Sequence, residues 1–329
     1  MPQRTEFLSG VQRGNRVILN WPAPRRNASD DSVQSIRRID VYRLAEPVNA
    51  PRGLTEERFS ARATLIGSVG YEQIRAATDE LSFEDTLSLS EPVRLRYAVR
   101  YVNAAGQRAA FSNFLLVEPA PRISQPPNIS SAPLVSQTAV TLRWEAPAAN
   151  IDGSTPPNIL GYNVYRADRS QTETAQTPIN RALVTTTEYA DQTFQFGEEY
   201  VYVVRAVSLG QGDTPQVESL NSNAVTVAPR DIFPPAAPAA LSIAVALGRI
   251  SVFFAANPER DVAGYNLYRS TDPSLPKTQW TKLNRALLER TTFQDETVET
   301  GTRYYYFLTA VDTAGNVSPA SEVVSEVAP

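Results

Sequence analysis

The phrase Gly161-Tyr162-Asn163-Val164-Tyr165-Arg166 returns almost unchanged at Gly264-Tyr265-Asn266-Leu267-Tyr268-Arg269, and in eroded form at Ile39-Asp40-Val41-Tyr42-Arg43. Each copy alternates with period two and is rich in β-branched and aromatic residues. That is the pattern of a half-buried strand, here with an Arg at its wet end. A strand phrase that appears three times limits the chain to a short array of one β-rich unit.

Three further anchors recur around it. A strand with an aromatic residue near its end reads Val17-Ile18-Leu19-Asn20-Trp21, Val140-Thr141-Leu142-Arg143-Trp144 and Ile250-Ser251-Val252-Phe253-Phe254. Pro22, Pro147 and Pro258 follow these strands and stop them, because proline has no N–H to donate to a ladder. An aromatic residue stands two places before Asp at Phe83, Tyr189 and Phe293. A long alternating strand comes next, at Leu95-Arg96-Tyr97-Ala98-Val99, Tyr200-Val201-Tyr202-Val203-Val204 and Tyr304-Tyr305-Tyr306-Phe307-Leu308, and a closing strand ends each copy. Short strands separated by turn signals, with almost no helical periodicity, predict all-β sandwiches.

These anchors resemble fibronectin type III domains, which carry Trp on the second strand, Tyr on the third, and a sixth strand of the form Tyr-x-Tyr-x-x-x-Ala-Val. The third copy resembles the bacterial branch of that family through residues 261–269 and 312–318. The resemblance covers essentially the whole chain. It implies three tandem immunoglobulin-like β-sandwiches in an elongated array. It also implies that Tyr200 and Tyr304 are corner tyrosines whose hydroxyls bond nearby backbone. The first copy has Leu95 at that place, and the third has Phe254 where the family places Trp.

Proline-rich joints divide the chain into residues 1–119, 120–230 and 231–329. Such joints are expected to act as semi-rigid spacers. The first segment carries extra residues at 47–62, where a helical turn capped by Thr55 is expected, and at 70–81. Insertions in an otherwise economical module often make contacts.

Composition removes several functions. The 329 residues include no Cys and no His, so thiolate and imidazole metal sites and His-dependent triads are excluded. Paired carboxylates remain, but Glu56-Glu57, Glu84-Asp85 and Glu198-Glu199 are sequence neighbours, and neighbours on a strand face opposite ways. No enzymatic activity, cofactor or metal is expected. The net charge of −4 hides a first segment with 16 Arg against 14 acids and two later segments at −3 each. Near balance within each segment argues against a nucleic-acid partner. No apolar run is long enough to span a membrane. Residues 1–10 lack a secretory signal; the chain is read as lying after a removed signal, with a lipid anchor upstream as one option.

Two surfaces are candidates for partner binding. On the third segment, Tyr305 and Phe307 alternate outward, with Tyr268 on the adjacent strand and Trp280 nearby. Such an aromatic patch suits sugars or proteins, unless Trp280 folds over it and closes the sandwich. On the first segment, Arg94, Arg96 and Arg100 alternate outward beside Arg38, Asp40 and Tyr42. An arginine-lined face fits an acidic partner or glycan, or else is a solvated face with locally paired stems. The stretch Gly210-Gln211-Gly212-Asp213 lacks the Arg of an integrin signal, and Asp152-Gly153-Ser154 and Asp30-Asp31 lack the alternating ligands of a calcium loop.

The expected function is a non-catalytic extracellular or cell-envelope array, acting as spacer, adhesin or assembly scaffold toward a surface protein or glycan. The alternatives are an accessory segment of a polysaccharide-active enzyme and a subunit of a homopolymeric filament joined by edge strands.

Overall fold

The computed structural model describes the chain apart from residues 1–4, 6, 25–35, 78, 89–91, 169–175 and 212–213, so Asp30-Asp31 and part of the Gly210–Asp213 stretch lie outside the described residues. The chain forms two compact units, Met1–Val135 with Ala139–Ala228, and Ser136–Thr138 with Pro229–Pro329.

The first unit holds two sandwiches with separate cores. The first sandwich runs β1 (Ser9–Arg13), β2 (Arg16–Pro22), β3 (Ile36–Pro47), α1 (Glu56–Arg62), β4 (Thr64–Gly70), α2 (Tyr71–Ala76), β5 (Glu80–Thr86), β6 (Val93–Asn103) and β7 (Leu115–Val117). One sheet is ordered β1-β2-β5 and the other β4-β3-β6-β7. On β2 the alternation is strict: Val17, Leu19 and Trp21 are fully buried, and the residues between them are half-buried. Their inward faces meet Ile39, Val41, Tyr97 and Val99 from the opposite sheet.

The second sandwich contains β8 (Asn128–Ile129), β9 (Leu134–Val135), β10 (Val140–Glu145), β11 (Gly161–Asp168), β12 (Glu188–Asp191), β13 (Tyr200–Gln211), β14 (Thr214–Glu218) and β15 (Val225–Val227). Strand β10 lies between β12 on one side and β8 and β9 on the other, while β11, β13 and β15 build the facing sheet. Trp144 meets Tyr162 edge-on with ring centroids 5.3 Å apart.

The second unit is one sandwich of β16 (Ser242–Ala246), β17 (Arg249–Phe253), β18 (Val262–Ser270), β19 (Thr281–Lys282), β20 (Thr292–Asp295), β21 (Arg303–Asp312) and β22 (Val324–Val327). Its sheets are β16-β17-β20 and β19-β18-β21-β22. Phe254 takes the place of the tryptophan and meets Tyr265 edge-on at 4.7 Å, so the smaller ring keeps the same tyrosine partner.

The Gly that opens the repeated phrase has a steric cause. A Cβ on Gly161 would lie 2.9 Å from the Val184 carbonyl oxygen, and one on Gly264 would lie 2.8 Å from that of Leu288. The segments crossing there bridge to Tyr162 and Tyr265 and need the bare backbone. Both corner tyrosines are in place. Tyr200 Oη accepts from the Gln195 amide at 3.0 Å, and Tyr304 Oη from the Glu299 amide at 3.1 Å.

The joint between the first two sandwiches is packed, where a proline spacer was expected. Ala120 and Ile123 of the linker are buried against Val217 of β14. The tip of the β1–β2 hairpin pairs in parallel with the end of β14 at Arg13 and Glu218, joining strands of both sandwiches into one seven-stranded sheet.

Candidate functional site

The same buried polar cluster occurs in all three sandwiches, and it accounts for three of the four sequence anchors. The Arg that ends the phrase reaches the Asp of the aromatic-x-Asp anchor, and a Tyr of the long sixth strand donates its hydroxyl to that Asp. Arg43 bonds Asp85 at 2.8 Å and Tyr97 does so at 2.7 Å. Arg166 and Tyr202 reach Asp191 at 2.7 and 2.8 Å, and Arg269 and Tyr306 reach Asp295 at 2.7 and 2.9 Å. In the second and third copies Thr193 and Thr297 also donate backbone and side-chain bonds to the Asp.

Burial alone would raise the pKa of Asp191 and Asp295. The donors from Thr, Arg and Tyr outweigh it and hold both carboxyls below their ordinary value of 3.8. Burial, reinforced by the neighbouring carboxylate, pushes the Tyr202 and Tyr306 hydroxyls up. A fully engaged carboxylate with a neutral tyrosine in a closed core is structural chemistry. The anchors were visible in the sequence, but their meeting across the two sheets was not.

The arginine face of the first sandwich is covered. Residues 47–62 fold over the outer side of β6, so both faces of that strand are buried. Thr55 caps α1, accepting from the Arg58 amide at 3.4 Å, as the sequence predicts. Phe59 of α1 is fully buried between Phe111 and Phe114, at centroid distances of 5.1 and 4.7 Å.

Arg94 and Arg96 therefore do not line an open surface. Arg94 donates to Glu118 and to the carbonyls of Val48 and Ala50, and Arg96 to Glu46 and the Pro51 and Arg52 carbonyls. The loop's own carbonyls take the place of an acidic partner. Arg38 pairs with Asp40 at 2.7 Å, Tyr42 packs edge-on against Phe111, and Arg100 lies over the Phe111 ring while donating to the Ala109 carbonyl. What stays open is a shallow depression of about 580 Å³ lined by Glu56, Glu57, Ser60, Ala61, Arg100 and Phe111. Glu56 is occupied there by the Phe111 amide at 3.1 Å. Removing the Thr55 hydroxyl (Thr55→Ala) is expected to cost about 1 kcal/mol of cap energy. Faster amide exchange across 56–62, with the exchange of β2 unchanged, is the expected readout.

Tyr268, Trp280 and Phe307 of the third sandwich do come together, but as a closed cluster. Phe307 stacks on Tyr268 at 4.8 Å and an interplanar angle of 13°, and Trp280 covers it at 5.1 Å. The Trp280 indole N–H donates to the Leu275 carbonyl, and the Lys277 ammonium lies 5.1 Å from the Phe307 ring centre. Trp280 and Phe307 are 6% and 3% exposed, which removes both as an open platform. Tyr268 and Tyr305 remain half-buried.

One group of acids escaped the sequence reading. The carboxylates of Asp231, Asp261 and Asp312 lie within 4.8 Å of one another on the third sandwich. Asn316 bridges Asp312 and Asp231 through its side-chain amide. Asp261 and Asp312 open the two stretches that carry the family resemblance, so their approach could have been sought there. Asp152 accepts from the Ser154 amide and hydroxyl at 2.9 and 2.6 Å, forming a local turn.

Three-stranded and four-stranded sheets face each other in the first and third sandwiches, the phrase strand pairs with the long strand in all three copies, and corner tyrosines stand in two of them. Together these define an array of fibronectin type III-like β-sandwich modules. No family model matches the chain. The chain is 30% identical over 275 residues to Exoglucanase B of Cellulomonas fimi, an alignment covering 78% of this chain and 22% of that protein. Among solved structures it is similar to the FN1–FN3 domains of chicken CNTN1, at 16% identity and a TM-score of 0.30, with 99% of this chain and 98% of that one covered. It is also similar to an Fn3-like protein from Clostridium thermocellum, at 28% identity and a TM-score of 0.26 over 30% of this chain and 96% of that one.

Proposed function

We propose that the chain is a non-catalytic array of three sandwich modules, at 1–119, 120–230 and 231–329, that serves outside the cell as a spacer accompanying a polysaccharide-active enzyme. The observation that carries this reading is the similarity to Exoglucanase B, which extends across most of this chain yet takes up only 22% of that protein. The geometry supports it. The buried carboxylates at the repeated clusters are engaged by Arg and Tyr, Arg94 and Arg96 of the first module are satisfied internally, and Trp280 closes the aromatic cluster of the third.

The test is to incubate the purified chain with cellulose and soluble β-glucans, measuring reducing-sugar release and co-sedimentation. Neither signal is expected. Sugar release would overturn the non-catalytic reading. Retention on cellulose would replace the spacer role with glycan binding, and Tyr268→Ala with Tyr305→Ala would then be the first pair to substitute, since these two of the four aromatics remain half-buried.

A further inference from the structure

We infer that the first two sandwiches work as a single locked block, closed by the β1–β2 hairpin tip against Glu218, so that neither bends nor unfolds without the other. This goes beyond the spacer reading and holds whatever the chain accompanies.

The lock has three independent parts. The first is backbone: the Gly14 amide donates to the Glu218 carbonyl at 2.8 Å, next to the Arg13–Glu218 strand pairing. Gly14 has a φ of +54°, and a Cβ there would lie 2.9 Å from Leu220 Cγ, so only glycine fits both the turn and the contact.

The second part is a side-chain clamp on the linker. The Gln12 amide accepts from the Ala120 N–H at 2.8 Å and donates back to the Ala120 carbonyl at 3.2 Å and to the Gly14 carbonyl at 3.2 Å. One side chain thus mimics a strand for the linker residue beside it.

The third part is charge. The Glu218 carboxylate accepts from Arg205 at 2.9 Å, from Asn163 at 2.7 Å and from the Tyr165 hydroxyl, all of the second sandwich, and Arg13 of the first approaches to 3.9 Å. Arg205 is fully buried and lies 3.9 Å from the centre of the Tyr165 ring. One carboxylate therefore neutralises guanidinium groups from both sandwiches. Burial works against its charge, but the donors Asn163, Tyr165 and Arg205 outweigh it and hold its pKa below the ordinary glutamate value. Beneath these contacts Ala120 and Ile123 bury the linker against Val217. A linker held by its own small core, with both backbone groups of Ala120 paired to Gln12, has little freedom left to flex.

Hydrogen exchange on the full chain across a denaturant series tests this. Peptides from β2 and from β10 are expected to lose protection at the same denaturant concentration. The double variant Gln12→Ala with Gly14→Ala removes the clamp and the seam contact; because Gly14→Ala also strains the hairpin turn of the first sandwich, Gln12→Ala alone is measured beside it, and both are expected to separate the two midpoints. Glu218→Gln, which keeps the shape of the side chain, is expected to separate them in the same direction. Two distinct midpoints in the unaltered chain would overturn the proposal, as would coincident midpoints in the double variant.

Discussion

Replacing Trp144 by alanine is expected to cost the second sandwich about 3–5 kcal/mol, the usual range for removing a large buried aromatic side chain. The indole is 3% exposed and meets Tyr162 edge-on at the centre of the core. A loss of that size is a large part of the ~5–15 kcal/mol that holds a domain folded. Denaturant unfolding followed by far-UV circular dichroism should show an early transition. Trp21 and Trp280 remain as one reporter in each of the other sandwiches. With the packed joint, the Trp21 signal is expected to change along with that early transition while the Trp280 signal does not. An unfolding curve identical to that of the unaltered protein would show that Trp144 carries no core energy.

The second large effect is expected at Asp295 in the third sandwich. Asp295→Ala leaves Arg269 without its counter-charge and the buried Tyr306 hydroxyl without an acceptor. Breaking one side of a fully buried ion pair costs roughly 3–5 kcal/mol; Arg269 keeps 18% of its side chain in solvent and its bonds to Thr297, so the loss is expected at the lower end of that range. Asp295→Asn keeps an oxygen for Tyr306 and is expected to lose less.

The same site sets an acid limit. The folded-state pKa of Asp295 lies below its unfolded value, so its contribution is complete above about pH 3.8 and disappears as the pH falls through the lower folded value. Asp191 behaves alike. Acid titration of Trp280 fluorescence should therefore show the Asp295→Asn protein losing less stability below pH 3.8 than the unaltered protein. Parallel acid curves for the two would remove the cluster from the pH response.

The fold was legible because its signals are local. Period-two alternation on β2, β10 and β17, the terminating prolines and the two corner tyrosines all act within a few residues of themselves. Even Phe254, which departs from the repeated tryptophan, preserves the edge-on contact with the phrase tyrosine. The surfaces were harder to read, because alternation assigns a side chain to a face but does not say what covers that face. Arg94 and Arg96 do point away from the first core, as their register requires. Residues 47–62 then supply Phe59 and a set of carbonyls that bury them. Trp280 is the same case: its distance along the chain gave no way to decide whether it would extend the patch or close it. The Arg–Asp–Tyr cluster was missed for a related reason. Its members lie on strands from opposite sheets, and each looked complete as an anchor of its own strand.

The parallel pairing of Arg13 with Glu218 also bears on how such a chain can be rearranged by recombination. A module closed by its own Arg–Asp–Tyr cluster can be duplicated or exchanged as an independent cassette. The first two modules cannot be traded so freely: Gly14 and Gln12 belong to one, Glu218 and Leu220 to the other, and a crossover between them would leave half a seam on each product. These two stretches should be inherited together.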